Sequence, residues 1–380
     1  NSEEYKVPNS TAEQLWKFME TDLTEAITSG KLTSKTSLED RDGGTRATLE
    51  AARCLLGKIY LYQEKYADAK SELEKVISSG KYDLIADVST FYHPASAGCK
   101  EYVLECVRHY DPSNMYSQEG WFGILANWGF GYGFIAGPEA SMHYKFNTTS
   151  GYSYFNPSKS LYDAFVAEEG ADGYRLNAWI RTWEQVIAMN IAVNTTTNKY
   201  ASEGYFRLKW LASTDDEFVG YWCGNQSNTP VIRYADVLLM AAEACLQAGD
   251  QAGADEYLGR VRDRARLPRK SHVTLSDIKL ERRLELAMEG MRFQDLKRWG
   301  DAPAVLADKG KKLPTFQIVP DPNNDLTTAA GIYNARYTTK TTYVDNEKSL
   351  AGWTPNRDEW LPFPENELEV NSNLKQNPGY

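Results

Sequence analysis

ATLEAARCLLGKIYLYQEKYADAKSELEKVISSGKYDL, residues 47–84, is the stretch whose reading decides the fold. Its apolar and small residues recur three and four apart, the period of one helix face. QEKYA, residues 63–67, interrupts that run, so the stretch reads as two antiparallel helices joined by a short turn. Gly57 and Ala69 are small enough to let the two backbones approach. Leu56, Tyr60, Leu73 and Val76 are large enough to fill the gaps between them. The pattern returns downstream. Ala242, Cys245, Ala254, Leu258 and Val261 match Gly57, Tyr60, Ala69, Leu73 and Val76 at a constant offset of 185 residues, with AGDQA (248–252) where QEKYA stood.

This is the spacing of a tetratricopeptide repeat. It predicts a mostly α fold of tetratricopeptide-like helical hairpins, an α-α superhelix. Such repeats normally follow one another. Here residues 83–234 separate them, rich in Gly, Trp, Tyr, Phe and Asn and including GWFGILANWGFGYGFIAGPE (120–139). A long irregular segment on a rigid scaffold is functional or disordered, and so many aromatics argue against disorder. The chain therefore reads as one domain, 1–380. Within it lie helices in 1–84, a loop-rich aromatic insertion in 85–230, helices again in 231–300, and a loop-rich tail in 301–380.

Two further helices are expected outside the repeats. Residues 10–29 begin with Ser10 and Glu13 at capping-box spacing and stop at Gly30. Residues 276–299, SDIKLERRLELAMEGMRFQDLKRW, read as one helix capped by Ser276 and ended by Gly300. Its charges, with Glu289, Arg292, Asp295 and Arg298 three apart, read as a solvated face. Trp179 and Trp183, four apart, are expected on one helix facing the core.

Composition excludes some functions. A formal net charge of -10 argues against nucleic acid and against an anionic membrane surface. No run approaches the roughly 18 apolar residues of a membrane span. Cys54, Cys99, Cys106, Cys223 and Cys245 form no CxxC and no disulfide framework, and Cys54 and Cys245 fall in helical apolar patterns as buried thiols. HExxH, GxSxG and GxxxxGK[ST] are absent. His93, His109, His143 and His272 follow no ligand spacing, so no zinc site is expected. Gly131-x-Gly133-x-x-Ala136 fails as a dinucleotide fingerprint, because Gly137-Pro138 follows where a helix should open. Asp321, Asn323 and Asp325 fail as a calcium loop at Leu326 and Ile332. Glu168, Glu169 and Asp172 read as a solvated loop. No catalytic, metal or cofactor site is expected. A glycoside hydrolase needs only two carboxylates that meet in space, and the 52 acidic residues leave that alternative open.

The aromatics remain, with 10 Trp and 24 Tyr in 380 residues. Trp121, Trp128, Phe130 and Tyr132 lie among glycines, and Tyr221 and Trp222 lie beside Asn225 and Gln226. Pyranose rings stack their axial C–H groups on aromatic faces while amides bond their hydroxyls. Each aromatic contact adds on the order of 0.5–1.5 kcal/mol beyond burial. Trp121, Trp128, Phe130, Tyr132, Tyr221, Trp222 and Asn225 are therefore the candidate ligand-binding residues.

Three more stretches carry a resemblance: NTPVIRYADVLLMAAEA (228–244), ERRLELAMEGMRFQDLKRWG (281–300) and WLPFPENELEVNSNLKQNPGY (360–380). With residues 47–84 they closely resemble the SusD/RagB family of outer-membrane nutrient-binding lipoproteins. The resemblance implies a non-catalytic protein that binds glycans, or alternatively peptides or glycopeptides, on the extracellular face of the outer membrane. It also implies a TonB-dependent, SusC-like transporter as partner and a lipid anchor outside this chain. Family members carry a long region ahead of the segment at which this chain starts, so part of the ligand platform is expected there. Arg233, Glu243, Glu289, Arg292 and Asn377 are expected to hold helices and the C-terminal tail together.

Overall fold

The computed structural model describes residues 6–107, 134–135, 156–188, 192–193, 199–200, 203–209, 228–325, 327–328, 331, 336–347 and 351–380. In chain order the helices are α1 (Ala12–Thr28), α2 (Leu49–Tyr62), α3 (Tyr66–Ser78), α4 (Lys159–Glu169), α5 (Tyr174–Trp179) and α6 (Trp183–Ala188). They continue with α7 (Tyr234–Gln247), α8 (Gln251–Arg264), α9 (Leu275–Glu285), α10 (Arg292–Arg298), α11 (Ala302–Val305) and α12 (Glu365–Val370). The strands are short: β1 (Tyr102–Cys106), β2 (Phe134–Ile135), β3 (Ile180–Thr182), β4 (Ala192–Val193), β5 (Lys199–Tyr200), β6 (Tyr205–Arg207) and β7 (Thr229–Arg233). Two longer strands, β8 (Lys312–Pro320) and β9 (Tyr337–Asp345), follow.

The repeat is present in both copies. α2 and α7 start 185 residues apart, and so do α3 and α8. At Gly57 an added Cβ would meet Leu73 Cγ at 2.8 Å, which shows how closely α2 and α3 approach. Ala69, Leu73, Val76, Ala242, Cys245, Ala254, Leu258 and Val261 are all fully buried in one core. α3 lies against α7, so the two hairpins stack in space although the chain separates them. α7 is buried from Tyr234 through Cys245, because α2, α3, α8 and α9 all pack on it.

Local signals set the helix starts, with two corrections. α1 is capped by Thr11, whose hydroxyl accepts from Gln14 N (3.2 Å) while Gln14 Oε1 accepts from Thr11 N (2.9 Å). The box is one residue later than Ser10 and Glu13, and just ahead of it the Asn9 side chain donates to the Lys375 carbonyl (2.9 Å) and accepts from Lys375 N (2.8 Å). α9 is capped by Thr274 with Asp277, not by Ser276.

The expected helix over 276–299 breaks into α9 and α10. Met288 (φ 64°) and Gly290 (φ 79°) turn the chain between them. The carbonyls of Glu285 and Ala287 are claimed by Arg233 and Lys209 instead of by a continuing helix. Nor is its charge run a solvated face, since Glu281, Arg282, Glu285 and Asp295 are buried. Trp179 and Trp183 are core residues as expected. They do not share one helix: β3 intervenes and pairs with β6.

The tail is more ordered than a loop. β8 and β9 form an antiparallel hairpin from Lys312↔Asp345 to Pro320↔Tyr337. Among the described residues β5 pairs with β8 at Thr315 and Phe316. Among the described residues no helix is long and apolar enough to cross a membrane.

Candidate functional site

The aromatic stretches are attached to the scaffold by β1 and β7. These strands pair antiparallel, with Cys106 opposite Thr229 at the end of the ladder. Residues 108–133 follow β1 and residues 210–227 precede β7, so the first stretch leaves and the second returns at neighbouring points. The Asn228 side-chain amide donates to Glu105 Oε2 (3.0 Å), tying that rung together, and Gly98 N donates to Glu105 Oε1 (2.8 Å). Burial pushes the Glu105 carboxyl upward.

Behind this ladder lies a buried ionic cluster. Arg233, the last residue of β7, donates from Nη1 to Glu101 (2.6 Å) and Glu285 (3.0 Å). Its Nη2 and Nε bond Glu289 at 2.7 and 2.9 Å, and its guanidinium lies 4.7 Å from the Phe91 ring centre. Arg264 from α8 reaches Glu101 (3.0 Å) and Glu285. Arg175 from α5 reaches Glu169 (2.7 Å), Glu281 (2.6 Å) and Glu285 (3.0 Å). Arg262 bridges Glu281 (3.0 Å) to Glu168 (2.6 Å). Glu168 and Glu169 are thus parts of this cluster and not a solvated loop.

Lys209 closes the cluster on the side from which residues 210–227 depart. Its ammonium donates to Glu289 (2.5 Å) and to the carbonyls of Glu285 and Ala287 (3.1 Å each), 3.7 Å from a Trp179 ring centre. Burial pushes its pKa down to about 8 against the opposing pull of Glu289. Burial raises Glu101 although Arg264 and Arg233 oppose it. For Glu289 burial is outweighed by Arg233 and Lys209, and its pKa falls. Removing one member of such a cluster strands its partners without water, typically at a cost of about 3–5 kcal/mol.

A second set ties α7 to α9 and α10. Arg282 bonds Asp236 (2.8 Å) and Asp295 (2.9 Å), and Arg298 grips Glu243 with two nitrogens (2.5 and 2.7 Å). Asn377 holds the tail by donating to the Leu361 carbonyl (2.7 Å). The scaffold roles expected of Arg233, Glu243, Glu289 and Asn377 thus correspond to contacts, while Arg292 makes no ion pair among the described residues.

Each carboxylate in these clusters is engaged by Arg or Lys, and Glu101, Glu281 and Glu285 have side chains at most 1% exposed. No substrate reaches them, so they are not an acid–base pair. One signal could have found the cluster. Glu281, Glu285 and Glu289 recur every four residues, and such a stripe of like charge is unfavourable unless cations meet it. Glu74, Cys245 and Asp250 also lie close enough to share an ion. Lys70 already supplies their positive charge, 2.6 Å from Asp250.

Trp121, Trp128, Phe130, Tyr132, Tyr221, Trp222 and Asn225 all lie outside the described residues, as do His109, His143 and Cys223. The described residues show where their segments join the scaffold.

The family model described as the SusD family matches residues 100–380. The chain belongs to the SusD family. A SusD-like protein of Bacteroides ovatus is 31% identical over 170 residues, 40% of this chain and 29% of the relative. SusD-like protein P2 of Formosa agariphila is 26% identical over 362 residues, 87% of this chain and 59% of the relative. The chain therefore spans less than two thirds of the length of these SusD-like relatives. Among solved structures, a laminarin-binding SusD-like protein superposes with a TM-score of 0.73 at 28% identity, covering 98% of this chain and 70% of that one. Surface glycan-binding protein A from Bacteroides fluxus has the same fold, with a TM-score of 0.72 at 24% identity, covering 99% and 72%.

Proposed function

We propose that this SusD-family chain captures a glycan at the cell surface without cleaving it and passes it to a TonB-dependent outer-membrane transporter. The observation that carries the reading is the shared rung, Cys106 opposite Thr229, at which both aromatic stretches join the scaffold. Two segments rooted side by side can present Trp121, Trp128, Phe130, Tyr132, Tyr221, Trp222 and Asn225 to one ligand. The relative named as laminarin-binding supports a polysaccharide as that ligand. Two or three ring contacts give only about micromolar to millimolar affinity, which suits capture followed by release. That relative is named for binding, which supports capture without hydrolysis.

The test is intrinsic tryptophan fluorescence titrated with laminarin, other polysaccharides and peptides, alongside Trp121→Ala, Trp128→Ala and Trp222→Ala. A saturable response to one glycan, weakened about tenfold in a Trp variant and without release of reducing sugar, is expected. A response to peptides alone replaces the glycan reading with a peptide one. Sugar release overturns the non-catalytic reading.

A further inference from the structure

A cleft of about 470 Å³ opens between the start of α4 and the open end of the β8–β9 hairpin. It is made from residues other than the aromatic candidates above. Tyr343 forms one wall and is 50% exposed. Its ring is nevertheless held, because its hydroxyl donates to Glu203 Oε1 at 2.6 Å. Glu203 is fixed in turn, since its other oxygen accepts from Lys159 N at 2.6 Å, at the first turn of α4. Pro314 is the cross-strand partner of Tyr343 and extends the apolar wall, and Pro157 also lines the cleft. The strand that carries Pro314 is anchored in the core. Phe316, two residues along β8, is buried against Trp183 and against Gly204, where a Cβ would meet its ring at 2.5 Å.

The chemistry of the lining selects a ligand class. The half-exposed tyrosine ring, with Pro314 beside it, offers an apolar surface that suits the C–H face of a pyranose. Ser158, Glu203 and Lys312 stand around it as hydroxyl, carboxylate and ammonium, which suits a ring of hydroxyl groups. Lys312 has Asp345 as a counter-ion at 3.6 Å, so the cleft offers no strong unbalanced positive charge to an anion. The volume lies within the roughly 300–1,000 Å³ of small-ligand sites and accommodates one or two sugar units. Tethering the ring beforehand reduces the ordering cost of binding.

We infer that this cleft is a second, short carbohydrate subsite, with Tyr343 as stacking platform and Glu203 as hydroxyl acceptor and positioning group. It rests on the glycan reading for its ligand class and differs from it in location.

The test is fluorine NMR of the full chain carrying 3-fluorotyrosine, with the Tyr343 signal assigned by Tyr343→Phe and titrated with laminarihexaose, maltohexaose and mannohexaose. The expected result is a saturable shift of the Tyr343 signal with one sugar. The shift persists in a combined Trp121→Ala, Trp128→Ala, Trp222→Ala variant. Glu203→Ala, which unties the ring, raises the apparent Kd at this signal about tenfold. A Tyr343 signal unmoved where tryptophan fluorescence is saturated overturns the cleft and leaves the proposed function standing. A shift that vanishes in the combined Trp variant overturns it too, by showing that the signal reports the other site. A response at Tyr343 with none in fluorescence upholds the cleft and overturns the aromatic stretches as the site.

Discussion

Lys209 places an ammonium where water does not reach, between Glu289, two carbonyls and the Trp179 face. Its folded pKa of about 8 lies below the ordinary 10.5. Between these values the unfolded chain holds the proton that the folded chain has released, so stability rises with pH across that window. Below about 8 both states are protonated and the contribution is flat. Lys209→Met removes this titration. Urea unfolding at several pH values is expected to show the wild type gaining stability relative to Lys209→Met from pH 8 to 10.5. A difference that stays constant or shrinks would contradict the buried placement. Lysine alone among apolar neighbours gives no such warning in sequence, because its partners come from positions 285–289 and 179.

At the scale of elements, the α2–α3 pair depends on Gly57. A side chain there meets Leu73 at 2.8 Å, and Leu73 is fully buried with nowhere to move. Gly57→Val is expected to cost about 1–3 kcal/mol by overpacking, read as a lower urea midpoint at unchanged m-value. Both helix pairs were legible in the sequence because their pattern is local: small and large residues at helical spacing, twice, at one offset. The break between α9 and α10 was not legible, because it answers to Arg233 and Lys209, far away in the chain. The β8–β9 hairpin was obscured by Pro314 and Pro320, residues that sequence reading disfavours within a strand. Of the candidate site, composition revealed the aromatic stretches. The cleft at Tyr343 draws on residues 156–158, 203, 312, 314 and 343, and no window of sequence contains it.

At the scale of the whole molecule, the two hairpins form one unit. α3 rests on α7, and α7 is enclosed by helices from both copies. The first hairpin therefore has an unmet apolar face until the second arrives. A fragment ending at residue 107 is expected to show weak helical circular dichroism and no cooperative urea transition. The intact chain is expected to unfold with a cooperative step. A cooperative fragment would show that the first hairpin is self-sufficient. The ionic cluster follows the same logic, since α4, α5, Glu101 just ahead of β1, β7, α8 and α9 or the turn after it all contribute a charge.

The 185-residue offset between the stacked hairpins also sets a clock during synthesis. At about 5–20 residues per second, α7, the partner that begins 168 residues after the start of α3, emerges from the ribosome roughly 8–34 s after α3 itself. For that interval α3 has only α2 to pack on, and the face that ends against α7 stays uncovered. Nascent chains of this protein are therefore expected to depend on a holding factor at a defined length, and to lose that dependence once α7 and α8 have been made.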